Sequence, residues 1–366
     1  MEEEATRRAE ERGPGARAES RGRHDHVYAA LDLGTNNCRL LVARPARDTG
    51  GFEVIDAFSR IVRLGERVSK TGYLSEAAIE RTVRALRVCA AKIERRGATR
   101  VRSVATEACR RAHNGADFIR LAGAETGIDI DIITPDEEGR LALAGCMPLI
   151  VAEAAYALVF DIGGGSTEVM WLEQRAGGER APIDAISLPL GVVTLAERFG
   201  GRDVTPAIYR AMVEETRALL APLEARNGIG RHTAAGRIQM LGTSGTVTTL
   251  AAIHLRLPKY DRAQIDGCWI ETAAIETTTQ MLLGMSFRDR ILHPCIRRGR
   301  ADLVIAGCAI LDAILQMWPV PRLRVADRGL REGILLGLMA EADHEAIATA
   351  DREAIAETDG EAAPAA

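Results

Sequence analysis

Apolar and polar positions run through the chain in blocks whose period switches repeatedly between two and about 3.6, as expected for strands alternating with helices. Two of these blocks share one grammar. In YAALDLGTNNCRLLV (residues 28–42) an apolar run ends in Asp32, passes Leu33, Gly34, Thr35 and Asn36, and resumes through Leu40 to Val42. In ALVFDIGGGSTEVMWLE (residues 157–173) an apolar run ends in Asp161, turns through Gly163, Gly164 and Gly165, and leaves through Ser166, Thr167 and Glu168. Each reads as strand, tight turn, strand. The recurrence of an Asp-x-Gly turn between two strands marks an internal repeat at domain scale.

The remaining periodicity fills in an α/β layout. Gly51 to Leu64 reads as a third strand. Ser75 caps a helix with Ile79, Val83, Leu86, Ala90 and Ile93 at helical spacing, closed by Gly97. Strand Val101 to Ala105, a loop with Thr106, Arg110 and Arg111, a helix near Ala116 to Thr126 and strand Ile128 to Ile133 follow. Pro135 then starts a helix with Asp136, Glu137 and Glu138 in its first turn, where the dipole favours acids and keeps Glu138 ionised. Beyond the second hairpin come strand Ile183 to Leu188 and helices Val192 to Phe199 and Pro206 to about Leu223. A third small-residue turn, LGTSGTVTTLAAI (241–253), opens a helix. Trp269 to Leu283 and Ala301 to Met317 read as further helices, with a basic run at Arg297, Arg298 and Arg300 that reads as a solvated loop. Strand Leu323 to Val325 leads into a final helix ending near Ala340.

A length of 366 residues fits about two domains. Residues 1–26 are expected to be a disordered tail, because no Val, Ile, Leu, Phe or Trp precedes Val27. Residues 27–150 form domain I with the first hairpin, residues 151–327 form domain II with the second, and the final helix (328–340) packs back on domain I. Residues 341–366 read as an acidic, Ala-rich tail. A net charge of −4 gives no bulk argument for nucleic acid or membrane, so a polyanionic ligand needs a locally basic cleft. Seven cysteines without a CxxC pair, and scattered histidines, give no zinc pattern. Pro148 and Glu153 interrupt the most apolar region, which falls short of a membrane span. With no signal-peptide pattern either, a cytoplasmic location is expected.

Three turns carry candidate chemistry. Glycines let backbone N–H groups approach an anion without Cβ interference, and hydroxyls add donors. The phosphate-binding candidates are Gly34, Thr35 and Asn36 from the first turn and Gly163, Gly164, Gly165, Ser166 and Thr167 from the second. Gly242, Thr243, Ser244 and Gly245 of the third sit at a helix N-terminus, which also favours anions. Acids at the strand tips, Asp161 and Glu168, would hold Mg²⁺ or orient a water beside phosphate, with Asp32 a further metal candidate.

The motifs DLGTNNCRLLVA, ATEACRRA, TPDEEGRLALAG, VFDIGGGSTEV, LPLGVVTL, LGTSGTVTTL and DRGLREG, in this order, resemble the exopolyphosphatase / guanosine pentaphosphate phosphohydrolase (Ppx/GppA) family. The likeness spans roughly residues 27 to 340. It implies an α/β fold of two ribonuclease-H-like domains of the actin, sugar-kinase and Hsp70 superfold, facing an interdomain cleft. It implies Glu138 as the catalytic base, Mg²⁺ near Asp161 and Glu168, and Arg110 gripping phosphate. The implied activity is Mg²⁺-dependent release of orthophosphate from the end of inorganic polyphosphate, with guanosine pentaphosphate as the alternative substrate. Two features depart from the family: Glu107 stands where many members have a small or amide residue, and the helical module of larger members is lacking. A homodimer is left open. A kinase of the same superfold and a non-catalytic nucleotide sensor are the competing classes; Glu138 beside the phosphate turns favours water as acceptor.

Overall fold

The first hairpin folds as strands β1 (Tyr28–Leu33) and β2 (Asn37–Pro45), antiparallel, with Asp32 directly opposite Arg39. The computed structural model, which describes residues 22–47, 51–175 and 178–361, builds a five-stranded sheet on this hairpin. β3 (Phe52–Ile61) pairs with β2, while β4 (Arg100–Ala105) and β5 (Asp131–Ile132) add in parallel beside β1, giving the order β3-β2-β1-β4-β5.

The second sheet repeats that plan. β6 (Tyr156–Ile162) and β7 (Thr167–Gln174) form the second hairpin, here with Asp161 opposite Glu168. β8 (Arg180–Leu188) pairs with β7, and β9 (Ile238–Thr243) runs parallel to β6. β10 (Trp269–Glu271) and β11 (Arg322–Ala326) complete the order β10-β11-β9-β6-β7-β8. Strands β6, β7, β8, β9 and β11 take the places and directions of β1 to β5, with β10 added at the edge. The same ribonuclease-H-like arrangement therefore occurs twice, and both hairpin turns face one cleft.

Helices cover the sheets for local reasons visible in the chain. In α1 (Glu76–Arg95) the Ser75 hydroxyl accepts from the Ala78 N–H, and Val83, Leu86 and Cys89 are buried. α2 (Glu107–Arg111) is a short helix where a loop was expected, and α3 (Gly115–Thr126) follows. α4 (Pro135–Cys146) has Thr134 as its cap, accepting from the Glu137 N–H, and proline in its first turn. The second lobe carries α5 (Val192–Phe199), α6 (Pro206–Asn227), α7 (Ser244–His254), α8 (Thr272–Gly284) and α9 (Val304–Met317). α9 is buried along most of its length, which is why its sequence is apolar all round. Trp269 to Glu271, expected as helix, pairs instead with β11 as an edge strand. Only Asp131 and Ile132 of the expected strand at 128–133 pair with β4.

The final helix, α10 (Leu330–Glu361), does not end near Ala340. Alanine has the highest helix propensity, so an Ala-rich acidic stretch continues a helix once its first turns are anchored. Leu330, Ile334 and Leu335 pack with Tyr28 and Ala30 of β1 and Leu141 of α4. Ala342 and Asp343, assigned from sequence to a tail, are buried. The chain ahead of β1 docks there: Arg23 Nε donates to Asp343 at 2.6 Å, and Tyr28 Oη donates to the Arg23 carbonyl at 3.0 Å. Residues 22–26 are thus part of the fold, while residues 1–21 lie outside the described residues. Asp343→Ala should remove this docking contact and cost about 1–3 kcal/mol of stability. Thermal unfolding checks this, and an unchanged Tm would mean the contact contributes nothing.

Candidate active site

Between the lobes lies a cavity of about 300 Å³ onto which all three turns open. The first hairpin contributes Asp32, Gly34, Thr35 and Asn36. The second contributes Asp161, Gly163, Gly164, Gly165, Ser166 and Glu168. Thr243, Ser244 and Gly245 come from the start of α7, and Glu138 from the first turn of α4. Three expected phosphate contacts do not reach this wall. Thr167 is fully buried with its hydroxyl donated to the Leu190 carbonyl. Gly242 lies inside β9, where a Cβ would come within 2.5 Å of the Phe160 ring, so its glycine serves packing. Arg110 does not line the cavity and is paired with the carboxylates of Glu107 and Glu138.

The two hairpin turns touch across the cleft. A Cβ on Gly164 would sit 3.0 Å from Thr35 Cβ and 3.2 Å from Asn36 N, and one on Gly165 would sit 2.6 Å from Thr35 Oγ1. Gly163 and Gly164 also accept backbone hydrogen bonds from Val192 and Val193 at the start of α5, at 3.0 and 2.8 Å. On the flank, Arg63 bridges to both oxygens of Asp302 at 2.8 and 2.9 Å, and the Arg67 N–H donates to Glu197 at 2.6 Å. Arg63 and Arg67 both hold positive φ, 49° and 63°, without being glycine.

Crowding acids into this space shifts their chemistry. Asp161 is pushed up to about 6 by burial and the Asp32 charge, although Arg39 pulls the other way. Glu168 is pushed up to about 7 by burial and Asp161, with Ser187 donating to it at 3.0 Å. Burial first, then Glu168, raises Glu138 well above the usual carboxylate range. Desolvation and like charge thus work against the helix dipole that favours the ionised form of Glu138. Arg110 is the counterweight: its Nη1 lies 2.9 Å from Glu138 Oε2. Nη1 also donates to the Ile133 carbonyl at 2.7 Å.

This geometry is matched by a family model: residues 42–342 fit that of the Ppx/GppA phosphatase family. The chain belongs to the Ppx/GppA phosphatase family. It is 31% identical over 322 residues to exopolyphosphatase 2 of Mycobacterium tuberculosis, covering 85% of this chain and 98% of that protein. Among solved structures it resembles the Aquifex aeolicus PPX-GPPA enzyme, with a TM-score of 0.69, 30% identity and coverage of 85% and 99% of the two chains. An exopolyphosphatase from Cytophaga hutchinsonii shares the fold, with a TM-score of 0.77 at 22% identity over 86% of this chain and 98% of that one. The protein is thus a phosphatase-family hydrolase. No described helix is long and apolar enough to cross a membrane.

Among the acids, this Ppx/GppA member also gathers arginines that sequence reasoning missed. Arg39, Arg262, Arg297, Arg300 and Arg331 all line the cavity. The run at 297–300, expected to be a solvated loop, supplies two of them. Arg300 lies against Gly245, whose added Cβ would come within 2.6 Å of the guanidinium carbon. Burial and the neighbouring Arg39 and Arg297 charges lower Arg300 to about 10. Arg331 is likewise lowered by burial, partly offset by Glu332. Arg39 carried the one usable signal, being the cross-strand partner of Asp32.

Proposed function

We propose that the protein hydrolyses the terminal phosphoanhydride bond of inorganic polyphosphate with Mg²⁺ and releases orthophosphate. The observation that carries this reading is the juxtaposition, in one cavity, of arginines from both lobes with Glu138, Asp161 and Glu168. Arginines neutralise successive phosphates, and the Gly-rich turns offer backbone donors to phosphate oxygens. Glu138 accepts the proton of the attacking water. Its raised proton affinity makes the ionised form a stronger base.

The donor set suits Mg²⁺. Among the described residues no three His, Cys, Asp or Glu side chains close into a ready-made metal cage. Mg²⁺ is typically held by one or two carboxylates, retained waters and the substrate's own phosphates. Asp161 and Glu168, register partners at the cavity wall, would hold it, with Asp32 the third candidate. When bound, the ion would neutralise charge on the phosphate oxygens and on the crowded carboxylates.

Guanosine pentaphosphate is the second reading, favoured by Tyr260, an aromatic ring in the same wall with Arg297 5.8 Å from its centre. Phosphate release from the two substrates, measured side by side with Mg²⁺ and with chelator, separates them. Higher kcat/KM on polyphosphate is expected. Turnover of guanosine pentaphosphate alone would move the assignment to the second reading, and undiminished rates in chelator would remove Mg²⁺ from it.

A further inference from the structure

Resting on the hydrolase reading above, we propose that Glu107 is a positioning residue: it holds Arg110 against Glu138 and away from the substrate's phosphates. Glu107 opens α2, and three residues on, across the same helix face, Arg110 Nη2 lies 3.1 Å from Glu107 Oε2. The other terminal nitrogen, Nη1, serves the Ile133 carbonyl at 2.7 Å and Glu138 Oε2 at 2.9 Å. Both arms of the guanidinium fork are therefore occupied. The three side chains are 14–17% exposed, so these pairs form in a largely dry setting.

The stem of Glu107 is itself fixed. It lies against Gly165 of the opposite lobe, whose added Cβ would come within 2.8 Å of Glu107 Cγ. A carboxylate packed on a phosphate-binding turn repels a polyanion unless it is neutralised, and Arg110 is the ion-pair partner found there. A planar guanidinium keeps its orientation when both edges are held. With only Glu138 and Ile133 left, Arg110 is free to swing toward an anion in the cavity. Glu107 thus trades phosphate affinity for a fixed base.

The decisive variant is Glu107→Gln, which preserves size and removes the charge. Two readouts are expected to move in a direction that a merely structural role would not produce. Equilibrium binding of tripolyphosphate, by calorimetric titration, should tighten by roughly 3- to 10-fold as Arg110 gains an anionic partner in the cavity. In steady-state phosphate release, kcat and KM should fall together, because binding improves while Glu138 loses its anchor. The fall in kcat should vanish when Glu107→Gln is added to Arg110→Met, since Glu107 positions Glu138 only through Arg110. If Glu107→Gln fails to fold, Glu107→Asp, whose carboxylate is one methylene shorter, should give the same direction of change. Unaltered or weaker tripolyphosphate binding, or a fall in kcat that persists without Arg110, overturns the proposal. An inactive wild-type protein whose Glu107→Gln variant still binds tripolyphosphate more tightly sinks the hydrolase reading and leaves the Arg110 tether standing. Active wild type with an indifferent Glu107→Gln does the reverse.

Discussion

Replacing Glu138 with Gln is expected to lower phosphate release by roughly 10²- to 10⁴-fold, about 3 to 5 kcal/mol of barrier, with substrate affinity unchanged or slightly improved. Glutamine keeps the size and hydrogen bonding of the side chain and removes the base. Phosphate is held by the turns and the arginines, and deleting one negative charge from a cavity of crowded acids does not weaken an anion's binding. Steady-state release and an independent polyphosphate titration measure the two quantities. A fall of less than about tenfold, or parallel loss of rate and binding, would make Glu138 a structural acid at a helix start.

The same substitution has a signature in stability. Glu138, Glu168 and Asp161 all bind protons more tightly in the folded chain than in the unfolded one. As pH rises from the unfolded carboxylate range near 4 through about 6 and 7, the folded state is the one holding extra protons, so stability falls across that window. Metal-free protein should therefore melt at a lower temperature at pH 8 than at pH 5.5, with a smaller difference in Glu138→Gln. An equal slope in both proteins would show that Glu138 does not share in this burden.

Gly164→Val is expected to abolish turnover, by roughly 100-fold or more. A Cβ there already lies at 3.0 Å from Thr35 Cβ and 3.2 Å from the Asn36 N–H nitrogen, and valine adds two methyls beyond it. The two phosphate turns must part, and a displacement of about 1 Å between binding groups and base is enough for such a loss. Each lobe keeps its own core, with Leu31 and Leu86 in one and Phe160 and Ile310 in the other, so folding should survive. Circular dichroism together with phosphate release tests this. Normal activity in a folded variant would place the reaction elsewhere.

The hairpins and their acids were legible because each is a local pattern: an apolar run, a tip residue, a glycine turn; the proline marked the helix start at 135, but only the family resemblance singled out Glu138 among its acids. The repeat was legible because it recurs. Arg39, Arg300 and Arg331 were not, since their meaning lies in which distant elements approach them: β2, the segment before α9 and the start of α10 meet only in the folded cleft. Thr167 and Gly242 were misread for the converse reason. They sit in glycine-rich and hydroxyl-rich motifs, yet their positions in β7 and β9 turn them toward a carbonyl and a phenyl ring. Arg110 was expected at the phosphate because the Ppx/GppA resemblance implied it. Nothing in sequence tells that Glu107 and Glu138 stand closer.

The duplicated hairpins differ at one register position in a way that divides their labour. Asp32 faces Arg39 across the first ladder, whereas Asp161 faces Glu168 across the second. The equivalent register position thus carries a cation in the first hairpin and an acid in the second, and both side chains line the one cavity, so two turns of like shape present opposite charge to whatever lies between them.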